Sequence, residues 1–176
     1  MHYAPRITSE GGNMHILAAL KKIKHLDRKI EKDLKRIRQW SSFIRNVDDE
    51  EKPQYDEEDI RRMMQSVSDM TNEKARLRHL LHKTNMLTTV EFQGKSRTID
   101  ELLILQSIII PGKIAALNHL NRKEKGHGYH QPDKDDRVIM QYDPKKKTTA
   151  IDALEDQAEQ LNAFLDECSM NVELVE

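Results

Sequence analysis

An isoleucine recurs every seven residues at Ile16, Ile23, Ile30, Ile37 and Ile44, and few patterns restrict a fold so tightly. Leu20, Asp27, Leu34 and Ser41 fall between them, so the seam positions step alternately by four and three, as in a coiled-coil-like helix. A helix over residues 14–46, with Asn13 as its expected cap, would be about 50 Å long. Such a helix is not stable in water unless something covers its apolar stripe.

Residues 57–84 repeat the rhythm through Ile60, Met63, Val67, Met70, Lys74, Leu77, Leu81 and Thr84. The intervening stretch 47–56, with four consecutive acids from Asp48 to Glu51 and then Pro53, breaks it and reads as a connection. Folding back there gives an antiparallel hairpin with Ile44 near Ile60, Ile37 near Val67 and Ile23 near Leu81. The polar seam residues Asp27 and Lys74 then lie within about one turn of each other, which predicts a partly buried ion pair that fixes register. The competing arrangement sends both side chains to water.

A third seam, Ile151, Leu154, Ala158, Leu161, Leu165, Cys168 and Val172, predicts a helix over 149–170 capped by Thr148 or Thr149. The two ends of the chain are oppositely charged. Residues 16–46 hold ten Lys/Arg against three Asp/Glu, whereas 151–176 hold eight Asp/Glu and no Lys/Arg. These helices should attract, within one chain or between chains. Charged residues make up 34% of the chain and aromatics only 5%, with six Gly and five Pro, which suits long exposed helices and excludes a turn-rich β-sandwich.

Between the seams the period changes to two. Residues 88–99 alternate around Gln93-Gly94 and predict a β-hairpin whose glycine supplies a positive φ. Thr98 and Glu101 form a capping box for a third helix over 99–120, apolar around most of its circumference and therefore expected at the centre of a bundle. Pro111-Gly112 should kink or divide that helix. Residues 121–137 read as a long polar loop, and 138–142 alternate like a third strand. The expected fold class is all-α: a long antiparallel hairpin plus two further helices with a small β-hairpin. One helical domain over 14–176 would follow a flexible arm over 1–13.

The order of elements, with Thr84-Asn85 before the hairpin, Arg97-Thr98-Ile99 leading into the third helix and Asn171-Val172-Glu173-Leu174 closing the last one, resembles the septicolysin-like family of small helical bacterial proteins. The resemblance runs from about Leu20 onward; Pro111-Gly112 and the arm before Met14 are departures from the family pattern. It implies a helical, oligomeric fold and assigns no residue a role.

Little here points to chemistry. His79 and His82, like His127 and His130, have the i, i+3 spacing of a two-ligand metal site, but structural zinc needs four ligands and neither pair has a companion motif. No phosphate-binding loop, nucleophile elbow or dinucleotide turn is present. The single cysteine, Cys168, falls on a seam and reads as a core thiol in a reducing compartment. No metal, cofactor or catalytic group is therefore expected. The apolar stretch 102–117 is shorter than the roughly 20 residues that span a bilayer.

These readings predict a non-enzymatic assembly protein of the cytoplasm, forming homo-oligomers or joining other protein subunits, for instance in a phage virion built there. Tyr3, Arg6, His127, Tyr129 and His130 are the expected partner contacts. Three alternatives carry distinct signatures: a holdase chaperone with hairpin arms, a nucleic-acid binder using the basic first helix with Trp40 or Phe43 stacking, and a membrane-active cytolysin-like protein.

Overall fold

The computed structural model describes residues 14–42, 56–120 and 139–175. They form α1 (Ile16–Trp40), α2 (Glu57–Leu87), β1 (Thr89–Phe92), β2 (Lys95–Thr98), α3 (Ile99–Ile104), a π-helical turn (Leu105–Ile109), α4 (Ile110–Asn118) and α5 (Pro144–Asn171). The fold is all-α with one small antiparallel β-hairpin, as its periodicities predict. The chain divides into two compact units, Met1–Leu87 with Cys168–Glu176, and Thr88–Glu167.

In the first unit α1 and α2 pack against each other. Ile16, Ala19, Ile23 and Leu26 are buried on α1, and Leu77, Leu81 and Thr84 on α2. Every α2 seam position predicted from the sequence is at least half-buried. On α1 the isoleucines face inward, but their companions differ from expectation. Ala19 and Leu26 are buried where Leu20 and Asp27 were expected, and Leu20 and Leu34 are 47% and 51% exposed. An isoleucine seam can be flanked by residues three or four positions on, and periodicity does not choose between them. Ala19, with no exposed surface at all, lets α2 approach on its side of the stripe.

The closing tail holds the two helices together at one end. Helix α1 begins at Ile16 after an extended His15 that makes no side-chain cap; Asn13, the expected cap, lies outside the described residues. The Ile16 amide instead donates to the Val172 carbonyl at 3.0 Å, and the Leu174 amide donates to Met14 at 2.8 Å. The Val175 amide donates to Thr84 Oγ1 at 2.8 Å, and that hydroxyl donates to the Leu80 carbonyl at 2.8 Å. One tail thus binds the start of α1 and the last turns of α2, so the helices run antiparallel. The Val172 carbonyl satisfies one of the first amides of α1, a group that a capping side chain can otherwise serve.

In the second unit the hairpin pairs Thr89 with Thr98 and Phe92 with Lys95. Gln93 and Gly94 have φ of 51° and 71°, the left-handed conformations of a type I′ two-residue turn. The hairpin is pinned to α5 by side chains from its tip. Gln93 donates to Gln160 at 3.2 Å and accepts from Gln157 at 3.1 Å, while the Phe92 and Phe164 rings lie 5.2 Å apart. Thr98 and Glu101 form the predicted capping box, each side chain accepting from the other's amide, at 3.1 and 2.8 Å.

Two boundaries depart from expectation. Helix α5 starts at Pro144, five residues earlier than the Thr148/Thr149 cap implied, because Asp143 Oδ1 accepts from the Lys145 and Lys146 amides and Pro144 fits the first helical position. Thr148 is interior and donates back to the Pro144 carbonyl at 3.1 Å. The third strand is not formed over the described residues 139–142, and the sheet has two strands. Ile139 is 85% exposed and Met140 is exposed as well, so this end of the segment buries no apolar face.

Candidate protein-interaction surface

The run from Ile99 to Asn118 is one helical path with a widened turn in the middle, and Pro111 explains where the widening falls. Proline has no amide to donate, and its ring crowds the carbonyl four residues back, here that of Ser107. The turn just before it opens, and the Ile110 amide donates to Leu105, five residues away. Ser107 Oγ donates to the Leu103 carbonyl at 2.7 Å within the same stretch. Pro111 therefore divides the α-helical pattern into α3 and α4.

The extra residue in this turn changes which side chains face inward. Leu105 and Ile110 are both buried although five apart, a spacing that a regular α-helix would rotate to different sides. Ile108 and Ile109 are carried outward and are 64% and 39% exposed, with Ile104 at 41%. The expectation that this helix is enclosed on all sides fails here. Ile99, Leu102, Leu105 and Ile110 make the buried side, and an isoleucine face stays open.

Beside that face lies a shallow groove lined by Lys95, Ser96 and Arg97 of β2, Glu101 and Ile104 of α3, and Ile109. Its lining combines two apolar side chains, Ile104 and Ile109, with two cations, Lys95 and Arg97. Glu101, the single carboxylate of the lining, is already engaged in the capping box. Such a site suits an apolar side chain flanked by acids. Among the described residues no buried side-chain nitrogen or oxygen lacks a partner, so no orphaned polar group is aimed at a small ligand.

The predicted site residues are distributed as follows. Ile16, Ile23, Leu77 and Leu81 are buried, and Ile30, Ile37, Ile60 and Val67 are half-buried. Ile44 and the contact candidates Tyr3, Arg6, His127, Tyr129 and His130 lie outside the described residues. The Lys74 ammonium meets the Asp27 carboxylate in an ion pair, with side-chain exposures of 27% and 46%. A second cross-helix pair joins Lys22 to Glu73 at 2.7 Å. The Lys22 ammonium, donating to the Glu73 carboxylate, holds that group below the usual carboxylate range against the raising effect of partial burial. On α1 itself Lys35 does the same for Glu31.

His79 and His82 are both exposed, and no group of three or more His, Cys, Asp or Glu among the described residues could hold one metal ion. Cys168 is buried. No described helix is long and apolar enough to cross a membrane. No family model, curated protein or solved structure matches the chain.

The open isoleucine face is the feature that sequence reading missed. Its signal was present in Pro111: a proline deep in an apolar helix demands a local change of pitch, and the side chains just before it lose their regular facing.

Proposed function

We propose that the chain is a non-enzymatic assembly protein, acting through helical packing and self-association. The supporting observation is the open face of Ile104, Ile108 and Ile109, β-branched apolar side chains held outward on a rigid helix next to a groove lined in part by Lys95 and Arg97. Exposed apolar surface of this kind is stabilised when a second protein covers it. The single cysteine, Cys168, is buried, which suits a reducing compartment such as the cytoplasm, where a particle such as a virion is built around such subunits. The septicolysin-like resemblance agrees with a helical oligomer and adds no residue role.

Light scattering over a range of protein concentrations tests the reading. The parent chain should show masses above the 20.6 kDa of one copy, and Ile108→Glu should return the mass toward one copy while leaving helix content unchanged. A parent mass of one copy at every concentration would remove the proposal.

A second reading, a holdase, draws support from the exposed Leu20, Leu34 and Met64 along the α1–α2 pair. It predicts suppression of aggregation of an unfolding client at stoichiometric ratios, lost when these three are made polar.

A further inference from the structure

We infer that two copies of this chain associate by laying the basic face of α1 of one copy against the acidic face of α5 of the other. This rests on the assembly role proposed above, names a second copy as the partner, and adds a charged contact to the one made by the isoleucine face.

The cations Lys21, Lys24, Arg28, Lys32 and Arg38 recur at steps of three, four and six, which puts them on one flank of α1. All are exposed, and among the described residues none has an ion-pair partner, whereas Lys22 is taken by Glu73, Lys35 by Glu31 and Arg36 by Asp33. Leu20 and Leu34, left exposed by the packing of α2, border the same flank. On α5, Asp152, Glu155, Asp156, Glu159, Asp166 and Glu167 form a stripe opposite the buried Leu161 and Leu165. These acids are exposed, and among the described residues none of them has an ion-pair partner.

Length and sign both match. The basic stripe extends about 26 Å along α1 and the acidic stripe about 22 Å along α5, from the rise of 1.5 Å per residue. Ala163, also exposed, puts a small apolar side chain within the acidic stripe, beside which a leucine has room. Two α1 flanks repel one another, as do two α5 stripes, so the complementary contact joins unlike helices. A single exposed ion pair contributes only about 0.2–1 kcal/mol, but a row of them along two helices, flanked by apolar contact, adds to give an association that salt weakens. Two such contacts can close a dimer, or each copy can pass the contact on to the next.

The test uses the full chain and reads mass by light scattering, with circular dichroism as the check on folding. Raising sodium chloride from about 0.05 M to about 0.5 M should weaken association at least about tenfold, because the Debye length falls well below the stripe dimensions. The triple variant Lys24→Glu, Arg28→Glu, Lys32→Glu should weaken association by about the same factor, as should Glu155→Lys, Asp156→Lys, Glu159→Lys. The six substitutions combined keep the formal net charge of −1, restore complementarity and should restore the parent mass. If a triple variant does not fold, the salt series on the parent decides by itself.

Association that is insensitive to salt and to both triple variants, yet lost in Ile108→Glu, overturns the charged-face contact and leaves the assembly role standing. A combined variant no better than its parts also overturns the contact. A constant mass of one copy with a salt-dependent melting temperature assigns the attraction to a single chain and overturns both.

Discussion

The α1–α2 pair and the α3–α4 run are both rich in isoleucine and leucine, yet they treat those residues in opposite ways. In the pair, the seven-residue repeat carries the isoleucines into a shared seam, and the regular helix keeps that facing for its whole length. In the run, Pro111 forces a widened turn, and two isoleucines that a regular helix would have distributed differently are turned to the outside. An unbroken period keeps an isoleucine face turned inward, although Leu20 and Leu34 beside it stay exposed. A single interruption turns such a face outward, at a place fixed by the interruption, and this is how a short helix can offer a binding face without any change in composition.

The largest effects should come from the hidden side of each region. Leu77→Ala in the pair and Leu102→Ala in the run each empty a site with almost no exposure, and each should cost about 2–5 kcal/mol in denaturant unfolding. Ile108→Ala, of similar chemistry but on the open face, should cost under about 1 kcal/mol by the same measurement. Equal losses at Leu102 and Ile108 would break the contrast between hidden and open isoleucine faces.

Next in size is the tail that closes the pair. Thr84→Val keeps the shape of the side chain but removes the acceptor of the Val175 amide, which should cost about 1–3 kcal/mol and speed hydrogen exchange at Val175. Unchanged exchange there would show that the tail is held by its contacts with Met14 and Ile16 alone.

Two glycines sharpen the role of local backbone. Gly94 has a φ of 71°, so Gly94→Ala strains the hairpin turn and should destabilise by about 1 kcal/mol. Gly112 follows Pro111 with no positive φ and nothing within 4 Å of an added methyl, so Gly112→Ala should stabilise by about 0.5–1 kcal/mol. A loss at Gly112 would mean that the widened turn needs glycine as well as proline.

The smallest effect concerns Glu73. Its folded pKa is depressed by Lys22, so its contribution is complete above the usual carboxylate range and disappears as pH falls through the lowered folded value. For a partly exposed pair this amounts to about 0.2–1 kcal/mol, and Glu73→Gln should flatten that part of the stability profile below about pH 4.5.

Much of the fold was legible because it follows from period and capping. The α2 and α5 seams, the Gln93-Gly94 turn and the Thr98/Glu101 box each rest on local geometry that a few residues dictate. What escaped depends on a neighbour. The choice of Ala19 and Leu26 over Leu20 and Asp27 is made by the side on which α2 lies, and residues 139–141 alternate but stay exposed. Thr148 and Thr149 offered cap chemistry for α5, but Asp143 at the cap and Pro144 at the first position start the helix earlier. The candidate surface was the least legible part, since it arises from what a widened turn turns outward.

The most direct measurement is the light-scattering mass of the parent chain and of Ile108→Glu, side by side across concentration at low salt. Self-association through exposed helical faces predicts that the parent rises to at least twice its 20.6 kDa chain mass while the variant stays lower, with equal helix content. A parent that remains at 20.6 kDa throughout, indistinguishable from the variant, would contradict it.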